Sequence, residues 1–223
     1  MTGPKLNEAT RVAGLSSGFR ASTRFARLSP SKVRVVLNLV LFDDAIHHIV
    51  KMTRLLALER GNALVVGVGG SGKQSLARMA AFVARCSCCS IRAAPGYTVN
   101  SFVEDIKRLF KDTGVDGKST ALLMTENDLK DDSFMEIMNS MLTTCNVPGL
   151  FSREEMEALH GEVRARASLD RVLIGETAHD AQTYYQLRVM QNFHIVLTFS
   201  PVGSNFRSRS RAYPGLISGC SID

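Results

Sequence analysis

Beyond residue 41 the apolar positions follow two alternating rhythms, one helical and one strand-like, and their order along the chain sets the fold class. FDDAIHHIVKMTRLLAL spaces Ile46, Ile49, Val50 and Leu56 along one helical face, behind the capping candidates Asp43 and Asp44. NALVVGV is a short, β-branched run of the kind that forms a buried strand, and SGKQSLARMAAFVARC after it has helix-forming composition. A short strand is expected over 90–92. A helix over 99–111 follows, with Phe102, Ile106, Leu109 and Phe110 on one face. The turn GVDGK leads into the strand STALLMT and then the helix DSFMEIMNSML. Its stripe is Phe134, Ile137, Met138, Met141 and Leu142, with the methionines read as core fillers. SREE, at 152–155, has capping-box spacing and opens a charged helix, and the polar stretch to about Asp180 is expected outside the main sheet. FHIVLTFS reads as a strand, SNFRSRSRAY as a short basic helix or turn, and LISGCSI as a last strand. Strands separated by helical segments predict an α/β fold with a doubly wound, mostly parallel sheet, flanking helices, and ligand at the carboxyl ends of the strands.

Composition alters this picture mainly at the start of the chain. With 223 residues, 45% of them hydrophobic, there is material for a sizeable core. The formal charge of +6 is local: residues 1–40 hold seven Lys/Arg against Glu8 alone, and the remainder carries 20 side chains of each sign. The net charge therefore marks no basic face for nucleic acid on the domain. No apolar run reaches the roughly 18–20 residues that span a bilayer, so no membrane partner is expected. Residues 1–38 are rich in Arg and Ser and nearly free of acid, as transit peptides are, but show neither helical nor strand period. They are expected to form a disordered or artefactual basic leader, mobile and cleavable, ahead of a folded unit over 39–223. Five cysteines include the cluster Cys86, Cys88, Cys89, with Cys145 and Cys220 single. No Cys/His pair stands at zinc-site spacing, so reduced thiols are expected and metal is not. His47 and His48 are adjacent, about 100° apart on a helix, and make no metal pair.

VGVGGSGKQS carries the chemistry. Gly67, Val68, Gly69, Gly70, Ser71, Gly72 and Lys73 fit G-x-x-x-x-G-K between a predicted strand and a predicted helix, the context of a P-loop NTPase. Glycines let successive backbone N–H groups turn inward around phosphate, the following helix offers its positive end, and the lysine reaches the β/γ oxygens. ATP or ADP is the expected cofactor. Mg²⁺ in such loops is held by a Ser or Thr hydroxyl directly after the lysine and by a carboxylate ending a second strand. Here Gln74 stands in the hydroxyl position with Ser75 one place late, and ALLMTEND ends in Thr125 and Glu126. Mg²⁺ is therefore expected to be weakly held, with Glu126 still able to polarise water and Asp128 within reach of the metal. Ser200, ending FHIVLTFS, occupies a place where a polar residue senses the γ-phosphate. Arg207, Arg209 and Arg211 after it read either as a solvated basic turn or as the source of an arginine finger. The expected outcome is a site that binds nucleotide and hydrolyses it poorly.

FDDAIHHIVKMTRLLALERGNALVVGVGGSGKQSLARMAAF, then LLMTENDLKDDSFMEIMNSMLTTCNVPGLFSREE, then FHIVLTFSPVGSNFRSRSRAYPGLISGCSID together resemble the fourth AAA+ module of dynein heavy chains, closest to the axonemal type. The resemblance runs from about Leu39 to Asp223. It implies an AAA+ large subdomain in a ring of six modules within a microtubule motor, where the first module does most of the hydrolysis and the fourth regulates. The partners it implies are neighbouring AAA+ modules of the ring, the microtubule through the full-length motor, and dynein intermediate and light chains. The implied location is the cytoplasm and cytoskeleton, in the axoneme of a cilium or flagellum. By the motif match, Lys73 and the glycines hold phosphate, Glu126 takes the position of the catalytic acid, and Arg211, or Arg209, the finger position. Gln74 and Thr125 look like what axonemal versions carry. The leader does not resemble the preceding dynein module, and no helical lid, further module, stalk or tail is recognised, so a fragment, a truncated gene model and a degenerate copy all fit. Two other classes stand beside this one. An independent P-loop ATPase or kinase needs a loop hydroxyl, a strand-end Asp and a lid, and a nucleotide-free structural or interaction domain is told apart by whether nucleotide stays bound.

Overall fold

The computed structural model describes residues 22–26, 32–36, 42–91, 96–129, 131–175, 177–202 and 205–223, the first two stretches as backbone only. Within the leader, β1 (Ser22–Ala26) and β2 (Lys32–Val36) pair antiparallel, which corrects the expectation of no strand period there: Lys32, Val33, Arg34 and Val35 alternate charged and apolar. The expectation of disorder for the rest of residues 1–38 lies outside the described residues. The chain continues as α1 (Asp43–Leu55), β3 (Ala63–Val66), α2 (Lys73–Val83), β4 (Ser87–Ser90), α3 (Val99–Gly114) and β5 (Thr120–Thr125). Then come α4 (Asp132–Thr144), α5 (Arg153–Leu169), α6 (Ala178–Asn192), β6 (Phe193–Phe199), α7 (Asn205–Ala212), α8 (Gly215–Ser218) and β7 (Ser221–Ile222).

Strands β3 to β7 form one sheet in the order β4-β5-β6-β3-β7, every pair parallel. The α/β, doubly wound reading holds. The crossover from β3 to β4 passes the two positions that β5 and β6 later fill, which leaves the carboxyl end of β3 inside the sheet. Alternation along each strand sorts the core into two layers. Leu64, Leu122, Met124, Ile195, Leu197 and Phe199 join a cluster with residues of α3, α4, α5 and α6. Ala63, Val65, Ala121, Leu123 and Val196 join a second cluster with α1 and α2. Both faces of every inner strand are thus covered by helices, as continuous apolar runs in a parallel sheet require.

The helices with wide apolar stripes form as the sequence predicts. α3 buries Phe102, Ile106, Leu109 and Phe110 and is capped by Thr98, which accepts from Ser101 N at 3.2 Å. Phe102 packs with its ring centroid 4.9 Å from Phe134 of α4, and Phe110 packs 5.3 Å from Phe193 of β6. α4 buries Phe134, Met138, Met141 and Leu142 with Met135, while Ile137 is only partly buried. α5 opens on the Ser152–Glu155 capping box, with Ser152 N donating to Glu155 Oε2 at 2.7 Å. At α1 the cap differs: Phe42 is the N-cap and makes no side-chain bond, while Asp43 and Asp44 sit in the first turn and favour the positive helix end. That helix buries Ala45, Ile49 and Met52. Asn62, just before β3, satisfies two neighbours at once: its Oδ1 accepts from Ile195 N at 2.9 Å and its Nδ2 donates to Gly219 O at 3.2 Å.

Three elements differ from expectation. LISGCSI, read as a strand, divides into the end of helix α8 and the two-residue strand β7, which pairs with Ala63 and Leu64 of β3. β4 lies at Ser87–Ser90 instead of 90–92, where Arg92 is outside the described residues. SCCS has no strong strand formers, and pairing of Cys88 and Cys89 with Ala121 and Leu122 of β5 sets its place. α6 is absent from the sequence reading because its buried stripe is narrow, Ala181, Tyr185 and Val189. It packs on the end of α3, where Arg188 Nε donates to Gly114 O at 2.7 Å and the Tyr185 ring covers Gly114. A Cβ on Gly114 would run into that ring and stand 2.9 Å from Val189 Cγ2. Gly114→Val is expected to lower stability by about 1–3 kcal/mol through overpacking, read from urea unfolding. An unchanged midpoint would mean that α3 and α6 pack loosely. Among the described residues no helix is long and apolar enough to cross a membrane.

Candidate nucleotide site

β3 ends at Val66 and the chain turns through 67–72 into α2. Gly70 and Gly72 have φ of 79° and 78°, left-handed values at which an L side chain is strained. Gly72 is the N-cap of α2, and no side chain caps that end. The first-turn N–H groups of the helix therefore remain as donors at its positive pole. At Gly67 the requirement is space: a Cβ there would meet Ser71 Oγ at 3.2 Å and Lys73 Cδ at 3.4 Å. Lys73 arches back over this point, its Nζ donating to Gly67 O at 2.5 Å and Val68 O at 2.7 Å, with Ser71 Oγ at 3.4 Å. Val68, Gly69, Gly70 and Ser71 are exposed.

Because β6 lies between β3 and β5, the loop and the two other strand ends converge. Gly67 N donates to Phe199 O and Glu126 N to Thr198 O, both at 3.1 Å. Glu126 Oε2 accepts from Ser200 N at 2.7 Å, and Ser200 Oγ accepts from Val202 N at 3.3 Å. From α7, Arg209 Nη1 donates to Glu126 O at 3.1 Å. Of the two finger candidates the structure thus brings Arg209 to the site and leaves Arg211 exposed. Asp128 is turned back on the strand, where its Oδ2 accepts from Thr125 N at 3.0 Å and from Thr125 Oγ1 at 2.6 Å. That bond pair is a local turn lock of the kind Asp forms with nearby backbone.

Beside the loop lies a cleft of about 220 Å³ lined by Gln74, Arg78, Ser90, Leu123, Thr125 and Asp128. It gathers the residue after the P-loop lysine and the end of β5, the two places that hold Mg²⁺ in metal-dependent loops. The donors here fit that ion poorly. Gln74 offers a neutral amide, Thr125 offers a neutral hydroxyl that donates its proton to Asp128, and Asp128 Oδ2 already accepts two bonds. Ser75 is partly buried and does not line the cleft. Arg78 adds a cation that sequence reasoning passes over; its spacing of four from Gln74 on one helix was the available signal. The cysteines play another part. Cys86, Cys88, Cys89 and Cys145 are buried free thiols, and burial pushes Cys88 up to about 12 and Cys89 up to about 11, so they stay protonated and inert.

Residues 37–223 match the family described as P-loop containing dynein motor region D4. Dynein axonemal heavy chain 5 of Rattus norvegicus is 38% identical over 221 residues, 99% of this chain and 6% of its own length. Dynein axonemal heavy chain 6 of Homo sapiens is 43% identical over 188 residues, 84% of this chain and 4% of its own length. The Dynein-1-alpha heavy chain, flagellar inner arm I1 complex, of Chlamydomonas reinhardtii is 42% identical over 193 residues, covering 86% of this chain and 4% of its own length. The heavy chain 5 match takes in the leader as well, whereas the family match begins at residue 37. The chain spans about 4–6% of the length of these relatives. A glycine loop running from a central parallel strand into an uncapped helix, together with a family match over residues 37–223, establishes that this chain belongs to the dynein heavy-chain family through its P-loop containing motor region D4.

Proposed function

We propose that this chain is a regulatory AAA+ module of an axonemal dynein heavy chain that binds ATP or ADP and hydrolyses ATP slowly. The observation that carries the reading is the loop: two left-handed glycines lead into the uncapped N-terminus of α2, and Lys73 reaches back over Gly67 and Val68. A polyphosphate accepts the first-turn N–H groups, and Lys73 Nζ exchanges the Gly67 and Val68 carbonyls for phosphate oxygens. Slow hydrolysis is supported on the other side of the site. Glu126, the candidate base, has one carboxylate oxygen committed to Ser200 N, and neither Gln74 nor Thr125 supplies a charged ligand to Mg²⁺. Arg209 stays with its own site through Glu126, and exposed Arg211 is the residue assigned to reach a neighbouring module's nucleotide. In the full-length motor this module acts on its AAA+ neighbours, on the microtubule and on intermediate and light chains, within the cytoskeleton of a cilium or flagellum. The axonemal and flagellar names of the relatives support that setting.

The test joins binding to turnover. Fluorescent ADP and ATP are expected to bind the chain saturably. In a full dynein heavy chain whose first module no longer hydrolyses, Gln74→Thr with Thr125→Asp is expected to raise turnover at this site about tenfold or more, with affinity little changed. The pair restores a loop hydroxyl and sets a second carboxylate beside Asp128. Brisk hydrolysis by the unmodified site, or no saturable binding, overturns the reading.

A further inference from the structure

We infer that Arg78 provides the positive charge that a divalent cation provides in other phosphate loops, so that this module holds ATP and ADP about equally well with and without Mg²⁺. The inference rests on the nucleotide-binding reading and says how that site neutralises its ligand.

Three features of the cleft point this way. Gln74 and Arg78 are four residues apart on α2, and both line the cleft with Leu123 and Thr125, which alternate onto the same face of β5. Arg78 is thus on the metal side of the loop, one helical turn past the residue that follows Lys73. Second, its guanidinium is partly buried there and close enough to Cys88 to oppose part of the burial-driven rise of that thiol. Third, the anion among the lining side chains, Asp128, has Oδ2 engaged by the Thr125 amide and hydroxyl.

These features act with opposite sign on the two species that compete for the space. A dication entering the cleft meets a fixed like charge, and the one carboxylate lining it, Asp128, has Oδ2 held by the Thr125 amide and hydroxyl, which leaves Oδ1 as its single unengaged oxygen. A polyphosphate entering it meets an opposite charge that is present at every working pH. A guanidinium is planar, weakly hydrated and able to donate two parallel hydrogen bonds to phosphate oxygens, so it serves where an ammonium serves less well.

The experiment is a fluorescent-ADP titration of the chain in Mg²⁺ and again in EDTA, for the parent, Arg78→Gln and Arg78→Lys. The parent is expected to shift by less than about threefold between the two buffers. Arg78→Gln is expected to lose about tenfold in EDTA, the scale of one charge-assisted contact. Arg78→Lys keeps the charge and is expected to lie between them, which separates a lost cation from a lost fold. Thermal melts of all three proteins report folding independently. A parent that loses more than about tenfold in EDTA, or an Arg78→Gln protein that melts normally and binds as the parent does in EDTA, overturns the inference. Absence of saturable binding in either buffer removes the nucleotide reading as well, whereas Mg²⁺-dependent binding removes this inference alone.

Discussion

Lys73→Ala is expected to weaken ATP and ADP binding by about 10- to 100-fold, the equivalent of one lost hydrogen bond from a charged donor. Lys73 Nζ is the loop's own cation, held over Gly67 and Val68 by two short bonds to carbonyls, one part-buried and one exposed, that water replaces at little cost. Fold stability should therefore change by less than about 0.5 kcal/mol, since no buried group loses its partner. A fluorescent-nucleotide titration beside a thermal melt separates the two effects. Equal affinity of variant and parent would remove Lys73 from the phosphate site, and a large drop in melting temperature would mean that the loop braces the domain.

Phe102→Ala is expected to cost about 3–5 kcal/mol, a large share of the roughly 5–15 kcal/mol typical of a whole domain. Its side chain is 0% exposed and lies at the centre of the larger cluster, ring to ring with Phe134 of α4 and in the layer that covers Leu122 and Met124 of β5. Its removal leaves a cavity beneath the strand that presents Thr125 and Glu126. Urea unfolding measures the loss. A cost below about 1 kcal/mol would mean that α3 is not packed on β5 as described.

What the sequence disclosed, and what it concealed, follows from how local each signal is. α3 and α4 announce themselves through broad stripes, and the P-loop through glycines whose backbone role is written in seven consecutive residues. β4 and α6 depend on partners elsewhere. Ser87–Ser90 is a strand because β5 is beside it, and α6 is held by three buried residues and by Arg188 bonds to the end of α3. The last strand shrinks to Ser221–Ile222, and Leu216–Ser218, read as part of it, belong to the short helix α8. At the site the same division holds. Lys73, Gln74 and Thr125 could be placed by motif, but the hold of Ser200 N on Glu126, the bond from Arg209 to Glu126 O and the closure of Asp128 onto Thr125 arise only once the strands are ordered.

β6 shares a ladder with β3 on one side and β5 on the other, and it supplies the carbonyls that receive Gly67 N and Glu126 N. Strand ladders move only in whole residues, about 3.3 Å at a step, and a single step would carry Val196 from one core layer into the other. The separation between the phosphate loop and the candidate base is therefore quantised, fixed as firmly as the marks on a ruler. Graded control of this module cannot come from sliding its strands. It must act through torsions in the unladdered parts, the glycine loop, the turn that follows Ser200 and the basic helix α7, so control of this site turns hinges and leaves the sheet unstretched.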